Sequence, residues 1–329
     1  MRGRAVAMPG DASRNLFAGV FACPVCRGRL QADDRGLTCG ECRRMYEITD
    51  GIPVLLDQEH EAAHDELAHL VAHPHGHRRS QAKFYDDTSA AEFEITRPHS
   101  TPALYRWLLS EKLRRATRDI ETLIPGRVVL IVCGGSGMDA EFYARMGARV
   151  ISSDISIGAA RRTAERARRF GLDITAIVAD AERLPFADRS IDIVSVHDGL
   201  HHLEHPRRSL AEITRVASLA VSISEPADAA ATAVAVKLGL ALDREEAGNR
   251  VARMDRNKIS AHLEKQGFKI VAASRYLMYY HHVPGRLTRI LSRSPLLAAA
   301  RAGVRFANVL MGQFGNKMVV VAIREGKDG

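Results

Sequence analysis

The chain has 329 residues, is 46% apolar and 5% aromatic, and carries a net charge of +8 with a pI of about 9.4. That length suits one large domain or two smaller ones with a sizeable, mainly aliphatic core. No apolar run reaches the ~20 residues that cross a bilayer, since the nearest, 229–242, contains Lys237. The charge favours anionic partners (nucleic acid, anionic lipid, phosphorylated metabolites) without choosing among them.

Residues 1–15 lack an apolar signal core and read as a disordered tail of a cytoplasmic protein. Residues 16–57 form the first unit. Cys23-Pro-Val-Cys26 and Cys39-Gly-Glu-Cys42 bracket a hairpin-like stretch of twelve residues. Two residues between paired cysteines fold each pair into a knuckle, and two knuckles make a closed tetrahedral site suited to structural Zn²⁺. A unit this small builds little core of its own, so a metal staple is expected. With its ending Tyr46-Glu47-Ile48-Thr49-Asp50-Gly51-Ile52-Pro53, the unit resembles the small zinc-ribbon proteins that activate RNA and protein methyltransferases.

Residues 58–80 are a polar linker with six histidines, in which His60/His64 and His69/His73 have helical i,i+4 spacing. A solvated helix is expected there rather than a second metal site. Residues 81–127 read as helices capping the domain that follows, with the chain's one tryptophan, Trp107. Lys83–Asp87 and Thr96-Arg97-Pro98 are candidates to close over a ligand.

From Val128 the pattern becomes regular. Val128–Val132 is a short β-branched run that suits a strand buried on both faces. Gly134-Gly135-Ser136-Gly137 follows, where the backbone can pass close to a ligand at the opening of a helix, 139–146. The next strand, 149–153, ends at Asp154, which lies 19 residues after Gly135. An acid at about that spacing accepts hydrogen bonds from ribose hydroxyls in nucleotide-binding βαβ units. The alternation continues through a basic helix 157–170, a strand 174–178 ending at Asp180-Ala181-Glu182, a strand 191–196 ending at His197-Asp198, a helix 206–216 with proline in its first turn, and a strand 219–224. Repeated β-α units of this kind imply a doubly wound parallel α/β sheet, with ligands at the carboxyl ends of its strands. A helix 258–266 and strands 268–274 and 317–324 close the chain. Residues 227–257 and 276–316 read as insertions, and the second holds five arginines and no acid. Its part 287–310 reads as an amphipathic basic helix or helix pair that covers the substrate, touches a membrane surface or meets RNA.

Four pieces of this region, in order, resemble class I S-adenosyl-L-methionine-dependent methyltransferases that act on small molecules and lipids. They are Gly135-Ser136-Gly137, Asp154, the run from Asp180 through Leu184-Pro185-Phe186 to Ile191-Asp192-Ile193-Val194, and Leu200-His201-His202-Leu203 with the helix after it. The resemblance implies a Rossmann-like sheet of seven strands, the last antiparallel, behind a small zinc ribbon. It implies cofactor contacts from Gly135, Ser136, Gly137, Asp154, Ile155, Asp180, Ala181 and His197, with Asp198 beside the methyl-transfer end. His201 and His202 are the candidate bases for a hydroxyl acceptor. The family usually opens its turn with an acid and a first glycine, where this chain has Ile131 and Cys133.

Three readings of function stay open on the sequence. The first is a methyltransferase for a small-molecule, lipid or sugar-type acceptor. The second is a ribosomal- or transfer-RNA methyltransferase that grips RNA through the ribbon and the basic surface. The third is a methyltransferase-like binding module without catalysis. Gly135-Ser136-Gly137-Met138-Asp139-Ala140 also fits a dinucleotide-binding turn. Asp180 and the 184–194 run are features that hydride transfer does not require.

Overall fold

The computed structural model describes residues 20–33, 36–57, 91–228 and 254–326. The N-terminal unit contributes five short strands: β1 (Leu30–Asp33), β2 (Gly36–Cys39), β3 (Met45–Tyr46), β4 (Ile48–Thr49) and β5 (Ile52–Leu55). Helices α1 (Ala91–Thr96) and α2 (Ala103–Thr117) follow. The alternating region comprises β6 (Val128–Val132), α3 (Met138–Arg145), β7 (Arg149–Asp154), α4 (Ile157–Phe170), β8 (Ile174–Ala179), β9 (Ile191–His197), α5 (Pro206–Val216) and β10 (Ala217–Pro226). The chain closes with α6 (Arg256–Lys265), β11 (Phe268–Tyr276), α7 (Arg286–Leu291), α8 (Leu296–Met311) and β12 (Lys317–Arg324).

The principal sheet runs β11-β12-β10-β9-β6-β7-β8-β5-β4. Strands β8, β7, β6, β9 and β10 are mutually parallel. β12 lies antiparallel to both β10 and β11. The seven expected strands are therefore present in a doubly wound order, with the last antiparallel. All five residues of β6 are buried, as its apolar run requires. Its period of two divides it between the faces: Val128, Leu130 and Val132 join one core, and Val129 and Ile131 join the other.

The sheet has nine strands, not seven, because the N-terminal unit does not end as a separate module. β4 and β5 form a hairpin whose two-residue turn is Asp50-Gly51, with φ of 52° and 79°. Positive φ at both central residues is the turn that matches strand twist, and Asp-Gly favours it. β5 then pairs in parallel with β8 through Val54↔Val178 and Leu55↔Ala179. The unit also reaches the loop after β8, where Ala22 N–H donates to the Pro185 carbonyl at 2.9 Å and the Phe21 and Phe186 rings lie 5.2 Å apart. Phe21, Cys23, Leu30, Leu37 and Tyr46 share one core cluster with Leu130 and Ile177.

The helices expected within 81–127 also differ in role. α2 is a layer of the fold rather than a cap: nine of its fifteen residues are buried. Leu104, Trp107 and Leu108 pack against Val129, Ile131 and Val319. The insertion 276–316 contains two helices, α7 and α8, the helix pair among the two forms expected. The tail 1–15, the histidine linker 58–80 with Lys83–Asp87, and residues 229–253 of the first insertion lie outside the described residues.

Candidate functional site

Two sites emerge. In the first, the Sγ atoms of Cys23, Cys26, Cys39 and Cys42 all lie within 4.8 Å of one another. Cys23 and Cys42 stand 3.7 Å apart and Cys26 and Cys39 3.4 Å. A tetrahedron of thiolates about Zn²⁺, with metal–sulfur bonds of ~2.3 Å, has edges of roughly 3.8 Å, so the donor set fits the metal in number, type and size. The knuckles are built alike. Arg27 N–H donates to the Cys23 carbonyl and Arg43 N–H to the Cys39 carbonyl, and both arginines have φ of 62°. The Gly28 and Arg44 N–H groups point at the Cys26 and Cys42 sulfurs, as donors to thiolate do. The Tyr46 hydroxyl meets the Cys23 sulfur at 3.0 Å.

The second site is the carboxyl edge of the sheet. Register brings its parts level, because Val132 pairs with Ser153 and Val196, Asp154 with Val178, and His197 with Ser224. The turn after β6 has three residues in the left-handed region: Cys133 (φ 56°), Gly135 (φ 53°) and Gly137 (φ 77°). Cys133 thus holds the backbone shape of the glycine it replaces. A Cβ at Gly137 would press on Thr163 at 2.9 Å, whereas one at Gly135 would meet nothing within 4 Å. Gly137 is required by packing, and Gly135 faces open room. Asp154 accepts from the Gly135 N–H at 2.9 Å and the Ser156 N–H at 3.0 Å, which pins the turn to the end of β7. Burial nevertheless pushes its carboxyl above the usual range. Ile155, half-buried, separates it from Ser156, whose hydroxyl caps α4 by accepting from Ala159 N–H. Asp180 accepts from the Glu182 N–H at 2.8 Å, with Ala181 buried between them. Ser136 is tied in from above. Its hydroxyl accepts from Arg162, and its carbonyl accepts from Arg166, a fully buried guanidinium paired with Glu141 at 2.6 Å.

Beside the turn stands a polar group that the sequence reading reached only in part. His197 is buried, and its Nε2 is sealed from solvent without a hydrogen-bond partner among the described residues. Burial, with Lys112 adding to it, holds its pKa well below the ordinary value, so the ring is neutral at pH 7. Its Nδ1 is 3.9 Å from Asp139, too long for a hydrogen bond. Asp139 sits in the first turn of α3, and burial pushes its carboxyl up to about 6, against the pull of Lys112. Asp198, in the left-handed region at φ 52°, is clamped by Lys112 at 2.6 Å and Lys317 at 2.8 Å. Burial opposes its charge, but the two ammonium groups outweigh that and hold its pKa well below the usual range. Lys112 also donates to the Tyr280 hydroxyl at 2.9 Å.

His201 and His202 lie in a short turn after β9, their rings 4.0 Å apart. His201 is buried, with Nδ1 2.7 Å from Glu225, and the same carboxylate accepts from Gly199 and Leu200 N–H. That geometry makes His201 part of the frame of the loop. Lys112 and Tyr280 had no sequence signal of their own. Asp139, two residues beyond Gly137, reads as a helix-start acid, and Glu225 stands at the carboxyl end of β10. Ile131, at the position of the family's usual acid, points into the core and is 1% exposed. Burial raises the pKa of the Cys133 thiol well above the ordinary value, which disfavours the thiolate.

Residues 130–220 match the family described as methyltransferase domain, and residues 20–51 match the Trm112p-like proteins. A demethylmenaquinone methyltransferase of Renibacterium salmoninarum is 36% identical over 136 residues, 41% of this chain and 53% of that protein. A ubiquinone/menaquinone biosynthesis C-methyltransferase of Bordetella avium is 31% identical over 146 residues, 44% of this chain and 55% of that protein. The chain spans about half the length of these curated relatives. Among solved structures, magnesium protoporphyrin IX methyltransferase from Synechocystis superposes with a TM-score of 0.51 at 16% identity, over 75% of this chain and all of that one. Geranyl diphosphate C-methyltransferase from Streptomyces coelicolor gives 0.52 at 11%, over 77% and 99%. The fold is therefore the α/β Rossmann-like fold of methyltransferases, joined to a Trm112p-like ribbon.

Proposed function

We propose that the chain is an S-adenosyl-L-methionine-dependent methyltransferase for a small-molecule or lipid acceptor, with a structural Zn²⁺ in the four-cysteine site. The observation that carries this reading is the meeting, at one sheet edge, of the open Gly135 turn, Asp154, Asp180 and a buried neutral His197 whose Nε2 has no partner. An orphaned polar atom in a buried site is a costly feature unless a ligand satisfies it. The relatives' acceptors, as named, support a small molecule.

Gly135, Ser136 and Gly137 would pass beneath the amino-acid and ribose part of the cofactor. Asp154 would accept from the ribose hydroxyls, with Ile155 against the adenine. Asp180 and the Ala181 backbone would receive the adenine edge. When bound, the cofactor supplies an electrophilic methyl group on a sulfonium. The chain's own work is alignment, which by itself lowers a barrier by several kcal/mol. His197, neutral at working pH, would accept the acceptor's proton at Nε2. Asp139, titrating near 6, would offer a second place for it. Asp198 stays ionised between its lysines and holds the loop after β9 to α2 and β12. Cys23, Cys26, Cys39 and Cys42 would together hold the metal, which would leave no open position for catalysis.

The test is calorimetric titration of the zinc-replete protein with S-adenosyl-L-methionine, beside NADH and an Asp154→Ala variant. Micromolar binding lost in the variant supports the reading. The acceptor screen would begin with demethylmenaquinone, the acceptor in the relatives' name. There, His197→Gln should lower turnover roughly 100-fold, within the usual range for a lost base. A folded protein that binds no cofactor would overturn the reading in favour of a binding module.

A further inference from the structure

We infer that the α7–α8 hairpin docks the protein on an anionic lipid bilayer. The inference stands independently of the methyl-transfer reading. Neither helix contains a buried residue, although twelve of the sixteen residues of α8 are apolar. A surface helix ordinarily turns its apolar stripe to the core and leaves polar residues outside. The inner row of α8, Leu297, Ala300 and Val304, does pack on the Trp107 cluster. Asn308 pins the helix by hydrogen bonds to both the N–H and the carbonyl of Leu277. Its outer row is bare: Phe306 is 65% exposed and Val309 83%. Ten of the twelve large apolar side chains exposed among the described residues fall within 279–314. The rest of the described surface thus carries only two, which makes this a face and not scatter.

Charge selects the occupant. Residues 276–316 hold five arginines and no acid. Arg286, Arg289 and Arg293 lie exposed on and just after α7. Arg301 and Arg305 lie over the Trp107 ring, but a second copy would bring its own Arg286, Arg289 and Arg293 against these three, and like charges would oppose the contact. A bilayer interface with anionic headgroups takes both components, lipid phosphates for the guanidinium groups and acyl chains for the Phe306–Val309 row. α8 is sixteen residues long, and no described helix is long and apolar enough to cross a membrane. The helices would therefore lie in the plane of the interface. The hairpin also grows from the site edge, because Tyr280, four residues after β11, holds Lys112.

The experiment is co-sedimentation of the full chain with phosphatidylcholine vesicles, with and without one-third phosphatidylglycerol, at rising salt. Binding to the anionic vesicles alone, weakening with salt, is expected. A Phe306→Glu/Val309→Glu double variant should lose at least tenfold in partition, and so should Arg289→Glu/Arg293→Glu. Met45→Glu, an exposed apolar residue on the ribbon, should keep it. Unfolding temperatures show that the variants are folded, and the two doubles remove different components on exposed positions. A chain that stays in solution with anionic vesicles overturns the inference, as does full binding by either double. Light scattering that shows a dimer, dissociated by Phe306→Glu/Val309→Glu and without vesicle binding, overturns it in favour of self-association.

Discussion

Cys133 occupies the space that a side chain at Gly199 would need: a Cβ built at Gly199 would stand 2.6 Å from the Cys133 Cβ and 3.2 Å from its sulfur. The cysteine that replaces a glycine in the ligand turn is thus accommodated by a glycine at the end of the neighbouring strand. Gly199→Ala should destabilise the fold by about 1–3 kcal/mol through overpacking. Cys133→Gly should remove most of that cost in the double variant, with Val196 still 3.0 Å away. Urea unfolding of the four proteins measures the coupling. Additive effects would mean that the two positions do not share this space.

Asp139 is expected to weaken the fold near neutrality. Its pKa in the fold, about 6, lies above the unfolded value of 3.8. A raised carboxyl favours the folded state fully below the unfolded value and loses that advantage as pH rises through 6. Asp139→Asn should therefore raise stability at pH 7.5, by up to roughly 3 kcal/mol. The gain should shrink between pH 6 and 4 and vanish below. Thermal unfolding across that range checks both sign and window, and a gain independent of pH would refute the assignment.

Asp198 should behave in the opposite sense. Its pKa is held well below 3.8 by Lys112 and Lys317, so its contribution is present above the unfolded value and is lost as pH falls through the folded one. Asp198→Asn leaves Lys112, itself buried, without its counter-charge. A loss of about 3–5 kcal/mol is expected at pH 7, narrowing in acid as the wild type loses its own pair. Equal stability of the two proteins at pH 7 would show that the lysines find other partners.

The ribbon should support the ligand edge at a distance. Phe21 packs on Phe186, and Ala22 binds the Pro185 carbonyl, in the loop that begins at Asp180. Stripping metal with a strong chelator should lower the unfolding temperature and speed amide exchange in β5 and β8. Phe21→Ala should cost about 3–5 kcal/mol and weaken cofactor binding, by less than Asp154→Ala. Unchanged exchange in β8 after metal removal would separate the two units energetically.

Local spacing carried the two strongest readings. A knuckle needs only two residues between its cysteines, and a βαβ turn needs only a strand, a glycine turn and an acid at a set distance. Both are therefore legible over 20 to 30 residues. The run Ile48–Leu56 was read only as the tail of the ribbon: its hairpin came from the structure, and its membership of the larger sheet had no local signal, because the partner β8 begins more than a hundred residues later. The site divided in the same way. Asp154 and Asp180 were marked by their place after strands. Lys112 meets Asp198 across 86 residues and Lys317 across 119, and no periodicity encodes such a pairing. His197 and His201 are alike in sequence, each a histidine beyond a strand. Only packing separates them, since Glu225 satisfies one ring and leaves the other with a buried nitrogen and no partner. The sequence by itself determined the backbone path that forms the edge. The tertiary structure decided which side chains there are neutral, charged or paired, because burial and opposing charge, not residue type, set those states.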